Sequence, residues 1–210
     1  MIDIVHWLDL TGVAVFAASG ALVASRKEMD VVGFVLIGTV TAVGGGTLRD
    51  LLLDRPVFWL AQPEYLALSA MVAVLLFLTA PHIERRYPVL LWLDSAGLSL
   101  FAVTGAAVAL DAGTPWPVAV LMGVMTATFG GLIRDVVCNE IPLILRKEIY
   151  ATAAALGAGV YVACDVLLWP VPLPGLSGFL ACFVLRSLAI HFKMALPTYR
   201  ARPGRDYPVD

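Results

Sequence analysis

Apolar residues fill most of the chain in long blocks that short polar segments separate. An α-helix needs about 20 mostly apolar residues to cross a bilayer. Blocks of that length lie near residues 3–25, 31–53, 64–81, 89–110, 116–139, 148–169 and 175–194. The pattern predicts an all-α integral membrane protein with seven transmembrane helices. These would form a single transmembrane domain, residues 1–195, followed by a polar cytoplasmic tail, 196–210.

The composition supports a membrane protein and argues against other classes. Of the 210 residues, 60% are hydrophobic and 14% are charged, whereas soluble domains are about half apolar and about a quarter charged. The acidic amino terminus lacks the basic region of a cleavable signal peptide, so the first block is expected to be a retained helix. The sequence shows no phosphate loop, nucleophile elbow or zinc-ligand spacing. It therefore predicts no enzyme activity, no cofactor, no metal site and no nucleic-acid partner.

The distribution of Lys and Arg predicts the orientation of the helices. Cytoplasmic loops carry an excess of these residues. With the amino terminus outside, the inner loops and the tail hold Arg26, Lys27, Arg85, Arg86, Arg146, Lys147, Lys193, Arg200, Arg202 and Arg205. The outer loops then hold only Arg55. We therefore predict a multi-pass protein of the cell (inner) membrane, N-out and C-in, in which Arg146 and Lys147 contact anionic lipid head groups.

The chain resembles itself at an offset of 85 residues. The sequence Trp-Leu-Asp at 7–9 returns at 92–94, and Gly-Gly-Gly-Thr-Leu-Arg-Asp at 44–50 returns as Phe-Gly-Gly-Leu-Ile-Arg-Asp at 129–135. Each copy contains three predicted spans, and an odd number forces the second copy to enter the membrane from the opposite side.

The duplication predicts two inverted three-helix repeats, at about 5–82 and 90–169, with a seventh helix at about 175–194 outside them. Many transporters have this architecture, and their sites lie near the bilayer midplane at interrupted helices.

Glycine motifs lie past the middle of the second and fifth spans. They comprise Gly44, Gly45 and Gly46 in one copy and Phe129, Gly130 and Gly131 in the other. Each glycine costs about 1 kcal/mol of helix propensity relative to alanine. One interpretation is close packing of helices. The other is a kinked or unwound helix that turns carbonyls toward an aqueous path, and the duplication beside buried charges favours it. The ring of Phe129 would narrow such a path.

Arginine and aspartate follow both glycine motifs inside the predicted spans. An ionisable side chain at that depth should face the interior, pair or line water. Neighbours on a helix point about 100° apart, so we expect Arg49 and Arg134 to pair with residues on other helices. Depth in the membrane selects Asp9 for Arg49 and Asp94 for Arg134. A purely structural role for these pairs remains open.

Three further charged residues, Asp50, Asp135 and Arg186, lie inside the predicted spans. Asp50 and Asp135 would be left over as candidates to attract cations. Arg186, in the seventh span, has no counterpart in the repeat. A static counter-ion, paired for example with a leftover aspartate, fits it better than a voltage-sensing charge.

The repeat, the seven spans and the two Gly-Gly-x-x-Arg-Asp motifs resemble the TRIC family, the trimeric intracellular cation channels and their prokaryotic relatives, some of which are catalogued as putative glycine transporters. The resemblance extends from about Trp7 to His191. It implies a homotrimer with one pore inside each protomer that conducts monovalent cations, K⁺ foremost. It also implies that the second and fifth spans, bent at their glycines, line this pore with the residues named above.

Three functions are compatible with the sequence. A passive cation channel would take its selectivity from a narrow point lined by polar groups. A secondary carrier for a small zwitterion such as glycine would use the inverted repeats for alternating access. A non-conducting scaffold or lipid-binding protein would use the charges only to hold its helices together. Membrane lipids are expected partners in every case.

Overall fold

The computed structural model describes residues 2–83 and 86–197. Arg85 and most of the predicted tail, with Arg200, Arg202 and Arg205, lie outside the described residues. The α-helices are α1 (Ile2–Arg26), α2 (Val31–Leu52), α3 (Phe58–Ala61), α4 (Glu64–Thr79), α5 (Arg86–Asp111), α6 (Trp116–Val137), α7 (Ala151–Val166) and α8 (Leu173–Phe192). Two 3₁₀ turns lie at Ala80–His82 and Leu143–Leu145. The described part of the chain contains no β-strand, so the all-α prediction is confirmed.

In the described part of the chain, six helices are long and apolar enough to cross a membrane: α1, α2, α4 with its 3₁₀ turn, α5, α6 and α8. Helix α7 is apolar but has only 16 residues, shorter than the predicted span 148–169. It begins late because the carbonyl oxygen of Ile149 accepts a hydrogen bond from the guanidinium of Arg186, at 3.1 Å, and not from a backbone N–H of the helix. The short helix α3 was not predicted.

The packing repeats in the two halves of the bundle. Helix α1 contacts α2 and α4, and α2 contacts α4; in the same way α5 contacts α6 and α7, and α6 contacts α7. The halves meet through α1 against α5 and α2 against α6. Helix α8 packs on α5 and α7. The two central helices, α1 and α5, are the most enclosed, since 67% and 72% of the residues in their apolar 18-residue stretches are buried inside the protein.

Glycine allows α2 and α6 to cross closely. A Cβ on Gly45 would lie 2.0 Å from the carbonyl oxygen of Thr126, and one on Gly130 would lie 2.2 Å from that of Thr41. Both helices stay α-helical through their glycines. The predicted unwinding does not occur, while a kink stays a prediction. Close packing accounts for the glycines, because only a residue without Cβ lets two backbones approach this closely.

Candidate functional site

Arg134, near the end of α6, is the centre of a buried group that we call the Arg134 cluster (Ser19, Asp94, Arg134, Asp135). Its Nη1 donates to Asp94 Oδ1 at 2.9 Å and to Ser19 Oγ at 3.0 Å. Its Nε donates to Asp135 Oδ1 at 2.7 Å. The side chain of Arg134 is fully buried. The structure thus contains the predicted Asp94–Arg134 ion pair and adds Ser19 as a second acceptor.

The equivalent residues near the end of α2 form the Arg49 cluster (Asp9, Arg49, Asp50, Thr104). Arg49 Nε donates to Asp50 Oδ1 at 2.8 Å. Arg49 makes no direct ion pair with Asp9, so the predicted direct contact is absent from this cluster. Asp9 Oδ1 and Thr104 Oγ1 are buried, and neither has a hydrogen-bond partner among the described residues.

The aspartates after the arginines are structural acceptors. Besides the arginine Nε, Asp50 accepts the backbone N–H of Phe58 through Oδ2 at 2.9 Å, and Asp135 accepts that of Leu143 in the same way at 3.0 Å. Two expectations are therefore wrong: adjacent Arg and Asp do pair, and Asp50 and Asp135 are not left over to attract cations. Adjacent residues point about 100° apart on a helix, but the arginine side chain is long enough to bend round the helix near its end and reach the next aspartate.

A cavity of about 900 Å³ reaches the Arg49 cluster. Residues from α1, α2, α3, α4, α5, α7 and α8 contribute to its lining. Besides one histidine, His6, the lining carries the charged residues Asp9, Arg49, Asp50, Arg55, Glu64, Asp111 and Asp165. Asp50 is paired with Arg49 and Asp111 with Arg55, which leaves the carboxylates of Asp9, Glu64 and Asp165, so the wall is net negative. A concave, acidic wall with low-dielectric surroundings attracts cations.

Arg186 in α8 is a paired charge, as expected, but its partner was not foreseen. Its Nη2 lies 2.7 Å from Glu148 Oε2, and its Cζ lies 5.2 Å from the ring centre of Tyr150. The suggested pairing with a leftover aspartate is wrong. Glu148 reaches Arg186 because it lies in the non-helical segment before α7. The apolar pattern had instead predicted that a span begins at residue 148.

Ion pairs between the repeats lie at two opposite ends of the bundle. Arg26 Nη1 lies 3.3 Å from Glu140 Oε2, and Arg55 Nη1 lies 3.4 Å from Asp111 Oδ2. We call these the end pairs. The repeat offset relates Arg26 to Asp111 and Arg55 to Glu140, so the two end pairs are equivalent with their charges exchanged. The side chain of Glu140 is only 12% exposed.

The basic residues expected to contact lipid differ in their surroundings. Arg146 donates to the carbonyl oxygen of Ile141 at 3.1 Å and to the hydroxyl of Tyr87. Lys147 is exposed. The guanidinium of Arg146 is therefore held by the protein, while the ammonium of Lys147 is free to meet an external group.

Sequence reasoning missed Ser19, Thr104 and Glu148. Ser19 and Thr104 occupy equivalent repeat positions, so the offset itself was the signal that could have found them. Small hydroxyl residues in apolar helices are easily assigned to packing alone. Nothing in the pattern around Glu148 indicated that α7 begins after it.

Comparisons with known proteins agree with this architecture. The sequence model of a family described as Glycine transporter matches residues 6–81 and again 91–166, an offset of 85 that also relates the motifs. The UPF0126 inner membrane protein YadS of Escherichia coli (strain K12) is 44% identical over 201 residues, which cover 93% of this chain and 96% of that protein.

Solved structures show the same fold. A TRIC trimeric intracellular cation channel orthologue from Rhodobacter sphaeroides is 52% identical, with a TM-score of 0.89 over 91% of this chain and 99% of that one. A prokaryotic TRIC channel crystallised in 0.5 M KCl is 34% identical, with a TM-score of 0.87 over 93% of this chain and 100% of that one.

These similarities agree with the prediction that the chain is not an enzyme, because its structural relatives are ion channels. The inner-membrane name of the Escherichia coli relative and the apolar helices make the chain a multi-pass inner membrane protein. Because the identity is this high over nearly the whole chain, the chain belongs to the TRIC family of membrane proteins.

Proposed function

We propose that the protein is a K⁺-permeable monovalent cation channel, with a conduction path inside each protomer of a homotrimer. The observation that carries the proposal is the acidic cavity of about 900 Å³, which is lined by Asp9, a residue with a buried carboxylate oxygen that has no hydrogen-bond partner among the described residues. Such a cavity concentrates cations, and polar groups at its deep end can replace part of their hydration. The likeness to TRIC channels supports the same function.

The proposed path runs along the crossing of α2 and α6. Helix α2 contributes Arg49 and Asp50 to the cavity wall, and α6 contributes Arg134 and Asp135 to the cluster beyond the crossing. On this proposal the Arg134 cluster closes the path, and the bonds from its guanidinium to three neighbouring side chains support that role. Conduction requires that this cluster rearrange.

The topology that we propose is seven spans in a single domain, N-out and C-in, with the two repeats inverted. Helix α7 would be the seventh span, although its 16 residues extend only about 24 Å. The cavity would then open to the outside, at the end where Asp111 lies. Arg26, Lys27, Arg146 and Lys147 would lie inside, where Lys147 meets anionic lipid.

Current recordings from the purified full chain in planar bilayers test the function. A channel gives stepwise unitary K⁺ currents without a co-substrate. Asp9→Asn should reduce the conductance, whereas Asp54→Asn should leave it unchanged, because Asp54 is exposed and does not line the cavity. Absence of current from wild-type protein that is monodisperse and trimeric by light scattering would reject the channel.

A secondary carrier for a small zwitterion is the second candidate. The observation that favours it is the unequal state of the two clusters: one is closed and the other opens to a cavity, as alternating access in inverted repeats requires. Arg49 and Asp9 would bind a carboxylate and an ammonium group. Saturable uptake of radiolabelled glycine into liposomes, without unitary currents, would establish this function in place of the channel.

A further inference from the structure

The repeat offset relates the two charged clusters residue by residue. An offset of 85 residues takes Ser19 to Thr104, and the same offset relates Asp9 to Asp94 and Arg49 to Arg134. In each half, an aspartate of one central helix therefore lies beside a hydroxyl residue of the other. Asp94 of α5 lies beside Ser19 of α1, and Asp9 of α1 lies beside Thr104 of α5. The oxygen pair Asp94 Oδ1 and Ser19 Oγ has its equivalent in Asp9 Oδ1 and Thr104 Oγ1.

In the Arg134 cluster this oxygen pair holds a positive charge. The nitrogen Nη1 of Arg134 lies 2.9 Å from Asp94 Oδ1 and 3.0 Å from Ser19 Oγ. Both are hydrogen-bond distances for a charged donor. The fold is thus able to place a carboxylate and a hydroxyl around one cationic atom, away from bulk water.

In the Arg49 cluster the same two oxygens have no such partner. Asp9 is 7% exposed and Thr104 is fully buried, and both line the cavity. Neither oxygen makes a well-formed hydrogen bond to a described residue, although the Thr104 hydroxyl lies close enough to interact with the Asp9 carboxylate. A buried carboxylate oxygen without a partner is costly, so a cation that enters through the cavity would be stabilised there.

The surrounding charges favour a cation at this point. Arg49 is the nearest positive group within the cluster, but Asp50 pairs with its Nε at 2.8 Å and offsets its charge. Farther out, Glu64, Asp111 and Asp165 outnumber Arg55 along the cavity wall. The net negative wall therefore favours a cation at the end of the cavity where Asp9 lies.

We propose that Asp9 Oδ1 and Thr104 Oγ1 form a binding site for a monovalent cation of the K⁺ class, and that Arg49 is a tethered competitor for it. The site takes the position that Arg134 Nη1 occupies in the other half. When Arg49 swings onto Asp9 and Thr104 it displaces the cation and closes the path from the cavity side. This inference rests on the proposed cation channel and names its ion site and outer gate.

Binding is tested on the detergent-purified full chain, independently of conduction. Thermal unfolding is followed in KCl and in N-methyl-D-glucamine chloride of equal ionic strength. A cation that binds only the folded state raises the melting temperature, so K⁺ should raise that of the wild type by several degrees. Asp9→Asn and Thr104→Val should lose this K⁺-dependent shift, and Thr104→Ser, which keeps the oxygen, should retain it.

Two matched variants act as controls. Asp54→Asn removes an exposed carboxylate outside the cavity and should keep the shift. Asp94→Asn alters the equivalent carboxylate of the Arg134 cluster, so it should lower the melting temperature in both salts and still show the K⁺ increment. A wild type without any K⁺ increment, or an increment that survives both Asp9→Asn and Thr104→Val, overturns the site.

The same variants in planar bilayers separate this inference from the proposed function. Unitary K⁺ currents that are unchanged in Asp9→Asn and Thr104→Val would leave the channel intact and reject the site. A K⁺ increment that depends on Asp9 and Thr104, in a wild type that carries no current, would keep the site and reject the channel.

Discussion

The Arg134 cluster and the Arg49 cluster derive from one duplicated motif and differ in their contacts. Both retain the bond from arginine Nε to the next aspartate, and both aspartates accept a backbone N–H eight residues further along the chain. The contact that differs is the one between repeats. Arg134 reaches Asp94 and Ser19, whereas Arg49 forms no ion pair with Asp9. The contacts within each repeat are therefore the same in both clusters, and the contacts between the repeats differ.

The largest expected effect separates the two equivalent aspartates. Asp94→Ala leaves the fully buried guanidinium of Arg134 short of a partner, and breaking a buried ion pair costs about 3–5 kcal/mol of unfolding free energy. Asp9→Ala removes a carboxylate oxygen that has no partner in the described structure, so it should cost less than about 1 kcal/mol or stabilise. Thermal unfolding in K⁺-free detergent buffer measures both; equal losses would contradict the comparison.

The helix crossing should instead respond equally in both repeats. Gly45→Ala and Gly130→Ala place a Cβ 2.0 and 2.2 Å from a backbone carbonyl oxygen, and overpacking of this kind costs about 1–3 kcal/mol. The control is Gly159→Ala, because a Cβ there meets nothing within 4 Å. It should stabilise α7 slightly through helix propensity. Unequal losses at Gly45 and Gly130, measured by thermal unfolding, would show that the crossing is not symmetric.

The hydroxyl pair gives a smaller contrast. Ser19 Oγ accepts from the charged Arg134 Nη1, and such a bond contributes about 1.5–3 kcal/mol. Ser19→Ala should lose the lower part of that range. Thr104→Val keeps the shape of a side chain whose hydroxyl has no partner in the described residues, so its melting temperature in K⁺-free buffer should stay close to that of the wild type. A larger loss for Thr104→Val than for Ser19→Ala would reverse the assignment of closed and open halves.

The end pairs give the smallest effect. A double-mutant cycle on Arg26→Gln and Glu140→Gln should give a coupling of about 0.5–1 kcal/mol, because Glu140 is largely shielded. The cycle on Arg55→Gln and Asp111→Asn should give less, since the Asp111 side chain is 80% exposed. Both couplings should fall with added salt. Coupling at Arg55–Asp111 that exceeds that at Arg26–Glu140 would disagree with the burial seen here.

The fold was predictable to the extent that it depends on hydrophobic length and on the repeat. The blocks of apolar residues located the long helices, but they did not reveal α3 or the late start of α7 at Ala151. That start depends on a bond between Arg186 and the carbonyl of Ile149. A contact with a distant helix leaves no periodic signal in the local sequence.

The site was predictable only where both repeats behave alike. Depth in the membrane correctly matched Asp94 to Arg134, and the same reasoning failed for Asp9 and Arg49. The sequence pattern is symmetric, whereas the structure is in a state that is not, and no composition or spacing encodes which half is closed. The glycine motif failed for another reason: the cost of glycine in a helix is the same whether the helix unwinds or packs closely, and only the neighbouring backbone decides.

The exchanged charges of the end pairs bear on the ancestry of the chain. A single three-helix unit that inserted in both directions would have formed a dimer of opposed copies, and each end of that dimer would have carried the same contact. In the present chain the first repeat carries arginine at both ends, Arg26 and Arg55, and the second carries an acid at both, Asp111 and Glu140. Two copies of the first repeat would bring Arg26 against Arg55, and two copies of the second would bring Asp111 against Glu140, so like charges disfavour both pairings. The exchange of sign therefore favours the pairing of unlike repeats within one chain.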